Sequence, residues 1–161
     1  MPGLSIRGAT RRDAPTILAL IRGLARYERL TRQMVATVGR IRRHGFGPRR
    51  YFETLICRRG KVPVGFALYY FTYSTFLGRP TLYLEDLFVL PKERGNGAGS
   101  ALLRELAKIA VHRGCGRMEW TVLDWNTPSI RFYEKLGAKL RKEWVLTRLT
   151  GAPLRRLARG R

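Results

Sequence analysis

The stretch Arg94-Gly95-Asn96-Gly97-Ala98-Gly99-Ser100 is the part of the chain whose residue types point most directly to chemistry. Glycines at alternate positions let the backbone turn tightly and aim successive N–H groups at one place. A helix with apolar periodicity begins at about Ser100, so a positive helix end adds to those amides, and Arg94 adds a formal charge. The ligand such a loop suits is a diphosphate. No Gly-Lys-Ser/Thr follows at the required spacing, so it is not a P-loop. A dinucleotide fingerprint belongs early in a parallel strand–helix–strand unit, whereas three candidate antiparallel strands precede this loop. A tight strand-to-helix connection is the plainer reading of the same glycines.

Periodicity and punctuation outline the elements that must hold the loop. Ser5 to Ala9 reads as a short first strand. Thr10 and Asp13 are cap-forming types ahead of Ala14-Pro15, and Ile17, Leu18, Ile21, Leu24 and Ala25 recur at helical spacing up to Tyr27. Gln33 to Arg43 reads as a second helix with Met34, Val38 and Ile41 on one side, broken by Gly45-Phe46-Gly47-Pro48. Tyr51 to Cys57, Val64 to Tyr73 and Thr81 to Leu90 read as an antiparallel meander, with turns at Arg59-Gly60-Lys61 and Leu77-Gly78-Arg79-Pro80. After the glycine loop, Leu102, Leu103, Leu106, Ile109 and Ala110 form the apolar face of a helix that ends at Arg113-Gly114. Arg117 to Leu123 reads as a strand and Thr127 to Lys135 as a short helix, with Pro128 at its first position and Gly137 past its end. Glu143 to Leu149 reads as a last strand, and the basic tail after Thr150 is expected to fray. The order indicates an α+β fold, helices on a mainly antiparallel sheet, with one domain over residues 1–150 and a basic tail over 151–161.

Composition narrows the setting. A chain of 161 residues fits one domain with a core of its own. No apolar run is long enough to cross a bilayer, and the start of the chain lacks the basic-then-apolar pattern of a secretory signal, so a cytoplasmic protein is expected. Cys57 and Cys115 belong to no CxxC pair or histidine cluster, so neither a metal nor a redox site is expected. The formal net charge of +21 attracts nucleic acid and other anions and repels small polycations. No nucleic-acid-binding motif accompanies the arginines, which leaves a solvated basic surface with non-specific attraction for nucleic acid.

Val89-x-x-x-x-Arg94-Gly-Asn-Gly-Ala-Gly99 resembles the acetyl-CoA motif of the GNAT N-acetyltransferases. Asp124-Trp125-Asn126-Thr-Pro-Ser129 with Phe132-Tyr133-Glu-Lys-Leu-Gly137 resembles the second half of that signature. Arg26-Tyr27-Glu28, His44-Gly45-Phe46-Gly47, the aromatic run Gly65 to Tyr73, and Tyr83-Leu84-Glu85-Asp86-Leu87-Phe88-Val89 are similar to the spermidine/spermine (diamine) and thialysine branch, with the motifs in order from about Ile6 to Leu149. The resemblance implies a mixed, mostly antiparallel twisted sheet flanked by helices, acetyl-CoA as co-substrate, no metal, and a homodimer. It implies that main-chain groups of Leu87, Phe88 and Val89 pair with the pantetheine arm as an added strand would. Arg94, Gly95, Asn96, Gly97, Ala98, Gly99 and Ser100 would cradle the pyrophosphate, and Asn126 and Ser129 would meet the cofactor near its sulfur. Tyr133 would protonate the departing thiolate, and Glu85 would be the general base. Tyr27, Glu28, Glu85, Glu119, Trp120, Thr121 and Glu143 fall on the acceptor side.

The chemistry implied is self-consistent. An alkylamine with a pKa near 10 arrives protonated and needs a carboxylate to take its proton. Thioester attack makes an oxyanion, which a strand N–H such as that of Phe88 would stabilise. Plainer roles stand beside these. Tyr133 follows Ile130 at helical spacing and would suit a core. Glu28 would suit an ion pair, Ser129 a helix turn, Trp120 and Trp125 packing, and His44 and His112 no role at all. Glu85 and Asp86 are adjacent on a strand and face opposite sides, so one of them points at the cofactor; Glu85 is chosen, and Asp86 is left to cap or pair.

The chain departs from polyamine-acetylating members. Arg29, Arg32, Arg40, Arg42 and Arg43 stand where those members carry acids, and Ser74 follows the aromatic strand. A small amine or an amino-acid-like acceptor therefore suits the sequence better than spermidine. A protein or peptide lysine acetyltransferase and a non-catalytic nucleic-acid-binding protein are the competing readings.

Overall fold

A computed structural model describes residues 3–160, which group into two compact units, one up to Thr121 and one from Val122. The first unit contains β1 (Leu4–Gly8), α1 (Ala14–Tyr27), α2 (Val38–Phe46), β2 (Glu53–Arg59), β3 (Val62–Ser74), β4 (Arg79–Val89), α3 (Ala98–His112) and β5 (Arg117–Glu119). Its sheet runs β1-β2-β3-β4-β5, antiparallel from β1 through β4, with β5 parallel to β4. This is the mixed, mostly antiparallel sheet that the order of elements implied.

Local chemistry accounts for the main elements. Arg7 on β1 grips Asp13 through two bonds of 2.8 and 2.7 Å, and Asp13 also accepts from the Thr10 amide and hydroxyl. These bonds hold the Asp13 carboxyl well below the usual carboxylate range and fix the entry to α1. From there Ile17, Leu18, Leu20 and Ala25 are buried at helical spacing. In β3, Val64 to Tyr69 are buried without alternation, the pattern of a strand covered on both faces. Leu20 and Leu24 of α1 pack with Phe66, Leu68 and Phe88, while Leu102, Leu103 and Leu106 of α3 are also in the core.

Four sequence expectations are corrected. The second helix is not Gln33 to Arg43. A single 3-10 turn at Thr31–Gln33 is followed by extended chain, and α2 starts after Thr37, whose hydroxyl accepts from the Arg40 amide at 3.2 Å. Gly45 does not break α2 but lies within it against Phe52, where a Cβ would stand 2.6 Å from the ring. Nor do residues 143–149 form a strand: Glu143 lies in a turn and the rest are exposed and irregular, without a sheet partner, and an isolated strand leaves its backbone groups unpaired. Finally, the tail beyond Thr150 is not frayed but forms α5 (Gly151–Ala158). Boundaries also move by a few residues. β5 ends at Glu119 rather than Leu123, and α3 begins at Ala98 rather than Ser100. The second unit contains α4 (Thr127–Lys135), with the bounds expected from Pro128 and Gly137, and α5. Cys57 and Cys115 are both free thiols.

Candidate active site

β4 carries a discontinuity in its middle. Leu68 pairs with Asp86 and Tyr69 with Leu84, so Glu85 is the extra residue of a β-bulge and has no partner in the ladder. On the other edge, the parallel ladder to β5 covers only Thr81, Leu82 and Tyr83. Beyond it, Leu84 to Val89 have no sheet partner on that side among the described residues. Alternation decides which groups face this open edge. The Leu90 amide donates to the Val64 carbonyl at 2.9 Å, and Phe88 is in register with Phe66, so the main-chain groups of Phe88 turn into the β3 ladder. Those of Leu87 and Val89 turn the other way. The three residues singled out from the sequence are therefore not equivalent, and the Phe88 N–H is not on the open edge.

The open edge runs into the glycine loop. A 3-10 turn at Pro91–Glu93 ends β4's exit, and Gly95 and Gly97 then adopt φ of 78° and 84°. A Cβ on either glycine would meet no atom within 4 Å, so the backbone conformation, not crowding, demands glycine here. Gly97 is the N-cap of α3, and the first-turn amides of Ala98, Gly99 and Ser100 have no partner within the helix. The Arg94 side chain takes a course the sequence did not suggest. Its Nε donates to the Val89 carbonyl at 3.0 Å, and its guanidinium lies 4.3 Å from the Tyr27 ring centroid and 5.6 Å from that of Phe88. Arg94 thus ties the loop to the end of α1.

Carboxylates gather beside this edge. Glu85 is exposed and accepts from the Tyr70 hydroxyl at 3.1 Å. Burial together with the Glu85 charge pushes the Tyr70 phenol up to about 12, so it stays a hydrogen-bond donor at neutral pH. Asp86, next to the bulge, lines a pocket of ≈ 170 Å³ with Ile21, Leu24, Glu28, Leu30 and Met34; the bulge interrupts the strict alternation expected for Glu85 and Asp86. Neither capping nor an ion pair engages Asp86 among the described residues, contrary to the role left to it. Burial, reinforced by the charges of Glu85 and Glu28, pushes its carboxyl up to about 7. Burial also raises Glu28. One pocket thus holds two carboxyls raised by burial and no cation among its lining residues. Asp86 is the residue sequence reasoning missed. Neither the bulge beside it nor the α1 residues it would meet were visible in the sequence.

The remaining candidates divide between the two units. Tyr27 is the last residue of α1, under Arg94. Glu119 closes β5 with an ion pair to Arg117 at 2.7 Å, followed by half-buried Trp120 and exposed Thr121. In the second unit Asn126 is buried at the head of α4, where its carbonyl accepts from the Ile130 amide at 3.0 Å. Ser129 and Tyr133 follow on α4, with the Tyr133 ring 5.5 Å from that of Phe132. Glu143 is exposed and accepts from Arg141 at 2.6 Å. No group of three or more His, Cys, Asp or Glu side chains suited to a metal occurs among the described residues, and no helix among them is long and apolar enough to cross a membrane.

A bulged, half-open strand thus leads toward a glycine loop and a helix end whose amides suit a diphosphate. Residues 19–138 match the acetyltransferase (GNAT) family. The chain belongs to the GNAT acetyltransferase family. It is 36% identical to thialysine N-epsilon-acetyltransferase of Mus musculus, over 98% of this chain and 99% of that one. It is 39% identical to spermidine/spermine N(1)-acetyltransferase-like protein 1 of Homo sapiens, over 86% of this chain and 21% of that longer one. Among solved structures, an integron cassette protein from the mobile metagenome of V. cholerae superimposes with a TM-score of 0.81 at 25% identity, over 96% of this chain and 97% of that one. This GNAT chain is an acyltransferase, and its family uses acetyl-CoA as co-substrate.

Proposed function

We propose that this GNAT chain moves the acetyl group of acetyl-CoA directly onto the primary amine of a small acceptor that also carries a carboxylate. The observation that carries the reading is the open edge of β4 from Leu84 to Val89, which leads through one 3-10 turn into Gly95–Ser100 and α3. The Leu87 main-chain groups and the Val89 amide suit an extended amide-bearing arm laid along the edge, and the loop amides suit its pyrophosphate. Arg94 acts there mainly through its backbone, because its guanidinium is already committed to Val89 and Tyr27.

Glu85, held by Tyr70, takes the proton of the arriving ammonium. The freed lone pair attacks the thioester carbonyl, and an open-edge amide, that of Leu87 or Val89, steadies the negative oxygen. The C–S bond then breaks, and the thiolate takes its proton from Tyr133, the role its place in the Phe132-Tyr133 motif supports. Asn126 and Ser129 hold the thioester end of the cofactor. On the acceptor side, Glu28 and Asp86 draw the cation into their pocket; the family resemblance assigns Tyr27, Glu119, Trp120, Thr121 and Glu143 to the acceptor as well. Relatives named for thialysine and for spermidine/spermine both acetylate amines. The arginines at 29, 32, 40, 42 and 43 favour an acceptor with a carboxylate, as thialysine has, over a polyamine.

Two free thiols, Cys57 and Cys115, suit a reducing compartment such as the cytoplasm. A homodimer is supported by the exposed Trp144, Val145 and Leu146 of the second unit, which a second copy would cover. The test is CoA release from acetyl-CoA against thialysine, lysine, ornithine, spermidine, alkyl diamines and lysine peptides at two salt concentrations. The reading expects the highest kcat/KM for an amino-acid acceptor. Turnover confined to lysine peptides would overturn the small-acceptor reading, and no turnover with any amine would overturn the reaction.

A further inference from the structure

The basic end of α2 stands apart from the acyl-transfer reading. Residues 29–52 contain seven arginines and no Asp or Glu. Among the described residues, no carboxylate forms an ion pair with Arg40, Arg42, Arg43 or Arg49, although Arg7, Arg58, Arg59, Arg113, Arg117 and Arg141 all have acidic partners. Like charges crowded without counter-charges destabilise a fold, so their gathering on one helix end calls for a reason.

The chain after α2 is folded back on purpose. The Tyr51 amide donates to the His44 carbonyl at 2.8 Å, closing the loop between them. A Cβ on Gly47 would stand 2.4 Å from the Arg43 carbonyl oxygen, so only glycine permits this return. The return brings Arg49 and Tyr51 over the last turn of α2 and leaves a pocket of ≈ 230 Å³ lined by Arg43, His44, Pro48, Arg49 and Tyr51. The Arg49 guanidinium carbon lies 5.6 Å from the centroid of the Tyr51 ring, and the His44 ring meets the same ring edge-on at 5.4 Å and 80°. An arginine stacked on an aromatic plane keeps its fork of N–H donors free at the edge, in the geometry that oxyanions accept. Arg43 and His44 also answer the negative end of α2, which accounts for those two residues. It accounts neither for Arg49 arriving at the same place from the loop nor for the hollow between them.

We propose that this pocket binds a free phosphomonoester-type oxyanion, gripped by Arg43 and Arg49, with Tyr51 as the platform that orders Arg49. The site is separate from the one proposed for acetyl-CoA, and its existence does not depend on that assignment. The test is titration calorimetry with inorganic phosphate, at constant ionic strength and with CoA present at saturation so that the glycine loop does not report. Thermal unfolding with and without phosphate accompanies it. The wild-type chain is expected to bind phosphate saturably and to gain several degrees in Tm. The Arg43→Ala/Arg49→Ala double variant should bind at least tenfold more weakly. Tyr51→Ala should weaken binding, and Tyr51→Phe should leave it intact. Both arginines are exposed, so the double variant keeps the core, and exposed Arg104→Ala on α3 serves as the charge control. An equal loss in Arg104→Ala and in the double variant would mean diffuse attraction to a basic surface and overturn the proposal. So would a single-stranded oligonucleotide that displaces phosphate from the wild type but not from the double variant, because the ligand would then be a nucleic-acid backbone.

Discussion

From Thr81 to Tyr83, β4 is paired on both edges, to β3 and to β5; from Leu84 to Val89 it is paired, Glu85 excepted, to β3 alone. The change falls at the bulge that sets Glu85 outside the ladder. In the first half Thr81 and Leu82 are fully buried, and the strand is structure on every side. In the second half main-chain groups are left facing outward and lead to a loop whose glycines hold left-handed backbone. One strand thus anchors a sheet at one end and offers a binding edge at the other. If that division is right, substitutions in the two halves should fail in different ways.

The largest separation is expected at the bulge. Glu85→Gln should lower kcat/KM for amine acetylation by about 10²–10⁴-fold while CoA affinity and Tm stay near wild type; steady-state kinetics beside calorimetry would show it. Unchanged turnover would remove Glu85 as the base. In the closed half, Leu82→Ala should cost about 2–5 kcal/mol of stability by leaving a cavity, with CoA affinity of the folded fraction unchanged; urea unfolding measures it. In the loop beyond the open half, Gly97→Val should act on both. Its new side chain meets no atom, but its φ of 84° is strained, so CoA affinity should fall about tenfold and stability by about 1–2 kcal/mol, less than for Leu82→Ala.

The smallest effect carries a sign. Asp86 is pushed up to about 7, so between the ordinary carboxylate range near 4 and that value the folded chain holds a proton that the unfolded chain has lost. Its contribution to stability is therefore lost as pH rises through this window. Asp86→Asn should be more stable than wild type at pH 8 by about 1–2 kcal/mol, with the difference vanishing near pH 4, while the KM for a cationic acceptor rises. Greater stability with unchanged KM would make Asp86 a buried acid with no hand in binding.

The comparison also corrects a habit of reading net charge. A net charge of +21 repels cations as a whole, yet the pocket beside β4 has two raised carboxyls and no cation among its lining residues. Arginines such as Arg40, Arg42, Arg43, Arg49 and Arg50 stand on α2 and the loop after it instead. A ligand meets the local field, which the total does not describe.

Much of this was legible in the sequence. Pro15 and the apolar spacing marked α1, Pro128 and Gly137 bounded α4, and the alternation of Gly95 and Gly97 marked the loop. What was not legible depended on partners distant in the chain. Nothing local shows that Tyr69 skips Glu85 to pair with Leu84, so the bulge was invisible and Phe88 was given a main chain facing the open edge. Asp86 needed Glu28 and the end of α1 to become a pocket residue. Thr37 outcompeted Gln33 as the start of α2 because its hydroxyl caps an amide, a choice that residue type allowed but did not force. Residues 143–149 have strand-like composition, but a strand also requires a neighbour to pair with.

The most direct test of the division within β4 is a calorimetric titration of the chain with CoA. Saturable uptake of one CoA per chain, weakened about tenfold in Gly97→Val and unchanged in Glu85→Gln, is the expected result. Absence of uptake by the wild-type chain, or equal uptake by the Gly97→Val variant, would contradict the claim that the open edge and its glycine loop hold the acetyl donor.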